Sequence, residues 1–334
     1  MDAASDSILY VACCRGRWLL SIIAMGAVLC AAVFYGSAAL ADESRADDSR
    51  ADESGETEKV PLATAGKLVI CGGGRLPEKL RLRFIELAGG PAAQVVVVTT
   101  ASVYADTDKM EPKLAFWREQ RLGSLTILHT RSRQTADNAE FVKPLTRATG
   151  VWFVGGNQSW LTETYLGTAS EREMRAVLAR GGVVGGTSAG AAVMSPVMIR
   201  RDRPELETGP GFGFLPGTVV DQHFLKRNRQ QRLLKVLDAH RELVGFGIDE
   251  GTALVVEGNH LSVVGDSQVV VCTSASTERP AAVQSLAAGQ EADLGVLRTA
   301  LVAQRVKPVV ETVTPPPADG KAASPTEAET TAGQ

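Results

Sequence analysis

Short runs of β-branched residues alternate along this chain with longer stretches in which apolar residues recur at helical spacing. Lys67 to Cys71, Gln94 to Thr99, Leu125 to His129 and Val151 to Val154 read as strands, with helices over Glu78 to Ala88, Glu111 to Arg121 and Asn138 to Thr146 between them. Val95-Val96-Val97-Val98 and Val151-Trp152-Phe153-Val154 are apolar without alternation. Such strands are covered on both faces, which implies a mainly parallel sheet. The pattern predicts an α/β fold, a three-layer α/β/α sandwich. From Val244 onward the texture changes to Gly-punctuated strands over Thr252 to Val256, Leu261 to Val264 and Gln268 to Cys272. These predict antiparallel hairpins at one sheet edge.

The two ends follow a different logic. Arg15 and Arg17 precede an apolar stretch from Trp18 to Tyr35, and Ser37-Ala38-Ala39-Leu40-Ala41 supplies small residues after it. That order predicts a secretory leader over 1–41 cut after Ala41, or an anchor if it stays uncut, since about 18 apolar residues can span a bilayer. The protein is therefore expected to be exported, to the periplasm or beyond. Residues 42–64 form a charged tract in which Ser-Arg-Ala-Asp recurs, expected to be a disordered tether because it has too little apolar surface to offset its ordering entropy. The tail, 313–334, opens on Thr314-Pro315-Pro316-Pro317 and shows no periodicity. A single folded body over 65–312 remains.

Of 334 residues, 44% are hydrophobic and the net charge is −3, which describes a globular protein and gives no nucleic-acid surface. Five cysteines reduce to Cys71 and Cys272 in the body, both in apolar runs and expected to be buried free thiols. No Cys/His cluster has metal-ligand spacing, so no metal or cofactor is expected.

The chemistry begins at Gly186-Thr187-Ser188-Ala189-Gly190, between the apolar run Gly181-Gly182-Val183-Val184 and Ala191-Ala192-Val193-Met194. A serine at a strand-to-helix turn flanked by glycines has the form of a nucleophile elbow. The strained turn lifts its hydroxyl clear of the sheet, and the amide of Ala189 at the following helix start is placed to hold an oxyanion. Ligands of parallel sheets collect at the carboxyl ends of the strands. Two further loops fall there: Gly72-Gly73-Gly74, which lacks a phosphate-binding pattern, and Gly155-Gly156-Asn157-Gln158, where Gly156 offers a second oxyanion amide.

A serine needs a base, and the base needs an acid behind it. Among His129, His223, His240 and His260, His223 is preferred because Val219-Val220-Asp221-Gln222-His223-Phe224 runs from a strand end into a polar loop. Ile248-Asp249-Glu250-Gly251 places carboxylates past another strand, on opposite faces by alternation. Glu250 is preferred as the acid, with Asp202 its competitor. The group Lys226-Arg227-Asn228-Arg229-Gln230-Gln231-Arg232 crowds positive charge at the start of a helix read over Asn228 to Arg241, against the helix dipole. This suggests a demand for anions, such as substrate carboxylates held by paired guanidiniums.

On Val154-Gly155-Gly156-Asn157-Gln158, Gly186 to Ala191, Asp221 to Phe224 with Arg227, Arg229 and Arg232, and Gly247 to Ala253, the chain resembles the cyanophycinase branch of the serine peptidase family that also contains aspartyl dipeptidase. The likeness covers roughly Leu68 to Val271. It implies a fold like the class I glutamine amidotransferases, Ser188 as nucleophile, His223 as base, and Gln158, Asp221, Gln222, Arg227, Arg229 and Arg232 lining the substrate site. It further implies cleavage of cyanophycin, poly-aspartate with arginine on each side chain, to β-Asp-Arg, with Asp221 receiving guanidinium groups and the arginines receiving carboxylates. The dipeptidase relatives place the triad acid between serine and histidine, which would point to Asp202. Rival readings are an aspartyl dipeptidase-like enzyme on short acidic peptides, an esterase whose late histidine is His260, and a catalytically idle envelope protein that binds peptides. A homodimer, and membrane attachment through an uncut leader, remain open.

Overall fold

The computed structural model describes residues 66–302 apart from 203 and 275–281. The expected leader, tether and tail lie outside the described residues. In chain order the strands are β1 (Lys67–Cys71), β2 (Gln94–Val98), β3 (Ser124–Leu128), β4 (Gly150–Phe153), β5 (Val183–Thr187), β6 (Val197–Arg201), β7 (Glu207–Pro210), β8 (Thr218–Gln222), β9 (Val244–Ile248), β10 (Thr252–Glu257), β11 (His260–Gly265), β12 (Gln268–Thr273), β13 (Ala282–Ala287) and β14 (Glu291–Asp293). The helices are α1 (Glu78–Leu87), α2 (Glu111–Glu119), α3 (Arg133–Ala136), α4 (Ala139–Arg147), α5 (Gln158–Tyr165), α6 (Ala169–Ala179), α7 (Ala189–Ala192), α8 (Gln230–Ala239) and α9 (Leu294–Val302).

The main sheet runs β14-β11-β10-β1-β5-β4-β2-β3. From β1 to β3 its pairings are parallel, and β10, β11 and β14 extend it antiparallel. The unbroken apolar runs have the cause inferred from sequence. Val96, Val98, Val151, Phe153 and Val184 enter one core, while their neighbours Val95, Val97, Trp152 and Val183 enter another. The second core is closed by α1 and α2 through Leu80, Phe84, Leu114 and Trp117. Edge-to-face contacts of Phe84 with Trp117 and Trp152 knit it together.

The expectation for the last third needs a correction. β10 and β11 form the edge hairpin, but β12 leaves it for a second sheet, ordered β13-β12-β9-β8-β6-β7. The reason is visible in burial: Val269 and Val271 enter the first core, whereas Val270 and Cys272 enter a third, against Leu233, Val236 and Leu237 of α8. β12 is thus covered on both faces, as an inner strand between β9 and β13. Cys71 and Cys272 are buried and unpaired, and burial raises both thiols above their ordinary range. Among the described residues no helix is long and apolar enough to cross a membrane.

In the second sheet β6, β8 and β9 are parallel. The loop after β1 joins the two sheets, since His223 N–H donates to Gly72 O at 2.6 Å, Gly251 N–H to Gly73 O at 3.0 Å and Ser188 N–H to Cys71 O at 3.0 Å. The carboxyl ends of β1, β5, β8 and β9 therefore meet at one place.

Candidate active site

Ser188 lies between β5 and α7 with φ 54° and ψ −109°. Close packing forces that turn: a Cβ on Gly186 would stand 2.7 Å from Gly190 O, and one on Gly190 2.4 Å from Phe153 O. Non-glycine residues rarely take positive φ. Among the described residues three do, and two of them are Ser188 and His223. Strain of this kind persists where the surroundings over-determine it, and it gathers at functional sites.

The two strained residues meet. Ser188 Oγ is 2.8 Å from His223 Nε2, and His223 Nδ1 is 2.5 Å from Glu250 Oε1. A carboxylate on Nδ1 fixes the tautomer that donates to Glu250 and leaves Nε2 to accept the serine proton. Glu250 is thus the carboxylate on His223. The competing acid, Asp202, faces Arg232 at 3.4 Å instead. Asp249, on the opposite side as alternation required, accepts from the amides of Leu225 and Lys226 at 3.1 and 3.0 Å and from Ser267 Oγ. The remaining histidines are elsewhere. His129 bonds Thr100 and Asp106, His240 ends α8, and His260 is half exposed near Glu291. His260 pairs with Glu257, at the far end of β10 from Thr252, so the esterase arrangement is not formed.

The His223 side chain is 9% exposed. Burial, the largest influence, lowers its pKa; the Glu250 hydrogen bond opposes this, and the charges of Arg227 and Arg229 add to the lowering. The net direction is downward from 6.5. A base works when unprotonated, so the acid limb of kcat/KM should lie below pH 6.5, with activity rising as pH climbs through it. A pH–rate profile with its acid limb at or above the ordinary histidine value would contradict this environment.

The Gly155–Gly156 loop comes alongside: a Cβ on Gly155 would lie 3.3 Å from Ser188 Cβ. The amides of Gly156 and Ala189 donate no hydrogen bond within the described residues, as oxyanion donors awaiting a ligand would. Beside them Gly156, Gln158, Arg200, Arg201 and Glu207 line an open cleft of about 370 Å³. Among the described residues, no three His, Cys, Asp or Glu side chains are gathered to hold a metal ion.

The expected substrate ligands divide. Arg227 is exposed, and its guanidinium has no partner among the described residues. Gln158 gives its side-chain amide to the carbonyls of Ile199 and Arg200 at 3.0 and 2.7 Å, which leaves its oxygen open. Asp221 requires a correction: its side chain is 0% exposed and already paired with Arg232, so it is not open to a substrate guanidinium. Gln222 is buried and bonded to Arg229. Arg229 and Arg232 share a face as their spacing required, but the anion they meet is Asp221, and α8 begins at Gln230 rather than Asn228.

One loop that the sequence places on the ligand side has a role the sequence reading did not assign. Gly72-Gly73-Gly74 forms the wall behind the triad: a Cβ on Gly73 would be 2.4 Å from His223 Cε1, and one on Gly74 2.6 Å from Glu250 Oε2. The signal was three consecutive glycines at a strand's carboxyl end. What they approach, side chains from another sheet, is not encoded nearby.

The chain as a whole is similar to known peptidases. The family model described as Peptidase family S51 matches residues 68–264. A cyanophycinase from Geminocystis herdmanii is 32% identical over 198 residues, 57% of this chain and 72% of that protein. A cyanophycinase from Nostoc sp. is 30% identical over 237 residues, 64% of this chain and 75% of that protein. The crystal structure of a peptidase from an acI-B1 Actinobacterium superposes with a TM-score of 0.52 at 26% identity, covering 68% of this chain and 96% of that one. A strained serine bonded to a carboxylate-backed histidine, on an α/β sandwich matched by this family over more than half its length, leads to one conclusion: the chain belongs to Peptidase family S51 and is a serine-type peptidase.

Proposed function

We propose that this peptidase hydrolyses aspartyl bonds of cyanophycin and releases β-Asp-Arg through an acyl-enzyme. The observation that carries the reading is the hydrogen-bonded series Ser188–His223–Glu250, and the cyanophycinases among its relatives support the substrate. Ser188 Oγ attacks the aspartyl carbonyl carbon as His223 Nε2 takes its proton. The amides of Gly156 and Ala189 stabilise the oxyanion. His223 then protonates the leaving amine, and the C–N bond breaks. In the second half His223 takes a proton from water as the water oxygen attacks the ester carbon, then returns that proton to Ser188 Oγ as the acyl C–O bond breaks, with one water consumed per bond. Glu250 holds the ring throughout and stabilises the imidazolium. Arg227 is the guanidinium offered to a substrate carboxylate.

Export remains part of the proposal and rests on the Arg15-to-Ala41 leader pattern. The enzyme would then meet its polymer outside the cytoplasm. The test is incubation of the purified protein with insoluble cyanophycin and, separately, with aspartyl dipeptides, followed by mass analysis. Release of β-Asp-Arg from the polymer is expected. Cleavage of the dipeptides with the polymer left intact would overturn the substrate assignment.

A further inference from the structure

The basic group after His223 already has an occupant. Asp221 is held by Arg232, from Nε to Oδ2 at 2.7 Å and from a second guanidinium nitrogen to Oδ1. Arg232 also faces Asp202 at 3.4 Å, and Arg229 stands 3.5 Å from Asp221. Two guanidiniums and two carboxylates therefore balance within the fold. Breaking the buried Asp221–Arg232 pair would leave an uncompensated charge, so neither arginine is free to turn toward a substrate carboxylate.

Arg229 connects this cluster to the chemistry. Its Nη1 donates to the Gln222 carbonyl at 2.7 Å and to Gln222 Oε1. Across the same peptide, His223 N–H donates to Gly72 O at 2.6 Å. The peptide is thus clamped at both its oxygen and its nitrogen, at the entry to a histidine with φ 51°. Left-handed backbone is unfavourable for a non-glycine residue, and these bonds hold it. A relaxed turn would swing the imidazole away from Ser188.

We infer that Arg229, braced by Asp221 and Arg232, is a positioning residue that holds the strained Gln222–His223 turn so that the imidazole meets Ser188, and is not a ligand for substrate carboxylates. The inference rests on the proposed Ser188–His223 pair but not on the choice of substrate. A small uncharged fluorophosphonate separates the two roles because it offers no carboxylate to bind.

In the full chain, Arg229→Met is expected to slow labelling of Ser188 about tenfold or more, the scale of loss from misplacing a reacting group by a fraction of an ångström. The acid limb of the labelling rate should also move to higher pH, because a positive charge that disfavours the imidazolium is gone. Arg229→Lys keeps the charge without the planar donors. It should slow labelling with the limb in place, and it decides the matter should Arg229→Met fail to fold. Lys235→Met, on the exposed side of the same helix, should label at the wild-type rate. Labelling of both Arg229 variants at the wild-type rate, with KM for cyanophycin raised, would overturn the inference and make Arg229 a substrate ligand. Inactivity of the wild type on cyanophycin would sink the proposed substrate and leave this comparison readable.

Discussion

Replacing Ser188 by alanine is expected to lower kcat/KM by about 10⁴-fold or more, and His223→Ala by a comparable factor, because residues that act as one unit fail together. The double variant should be scarcely worse than either single one. Glu250→Gln should cost about 10³- to 10⁴-fold, since an amide on Nδ1 can hold the ring in the wrong tautomer. Asp202→Asn discriminates the two acids. Asp202 is 40% exposed and faces Arg232, not His223, so its loss should leave kcat within a few-fold. A steady-state comparison of the four single variants and the double one, with thermal melting as a check on folding, reads the whole assignment. An Asp202→Asn effect larger than that of Glu250→Gln would reverse it.

Gly73→Ala is expected to be the most damaging change outside the triad. The added methyl would overlap the imidazole, at 2.4 Å from Cε1 and 2.6 Å from Nε2, and the residue sits at φ +100°. Either the ring moves or the loop does. Both lengthen the Ser188–His223 contact, and a misplacement near 1 Å costs about 10²-fold in rate, with about 1–3 kcal/mol of stability lost to backbone strain. Gly90→Ala is the matched control. It too has positive φ, +60°, but nothing lies within 4 Å of the new methyl. It should lose stability without losing kcat. Equal activity losses in the two variants would mean that strain, not displacement of the imidazole, is responsible.

How much of this could be read along the chain depended on the range of the interaction. Runs such as Val95 to Val98 announced a parallel sheet because both-sided burial leaves a local composition. The periodicity read over Asn138 to Thr146 falls within a residue of α4 at either end, and Asn138 is its cap, its side chain accepting from the amides of Glu140 and Phe141. The elbow was legible for the same reason, since its glycines and serine are consecutive. His223 and Glu250 could be proposed because strand ends mark the ligand side of a sheet. Their strained geometry and the 2.5 Å contact between them are tertiary facts.

Three things were out of reach. The second sheet forms because Gln268–Thr273 pairs with β9, not with its sequence neighbour β11, and a strand's partner is not written in its own residues. The clustered arginines looked like a surface seeking anions because the buried Asp221 that satisfies them lies eight residues before Arg229 and eleven before Arg232, on another element. The three glycines after β1 carried a signal, but their purpose depends on side chains about 150 and 175 residues later.

The central claim is that Ser188 is activated by His223. The most direct measurement is peptide mass spectrometry of the full chain after reaction with an uncharged fluorophosphonate at neutral pH, on the wild type and on His223→Ala. The account predicts a single adduct on the peptide carrying Ser188 in the wild type, and labelling slowed by at least about 10²-fold in the variant. An adduct on another residue, or equal labelling of Ser188 with and without the imidazole, would contradict it.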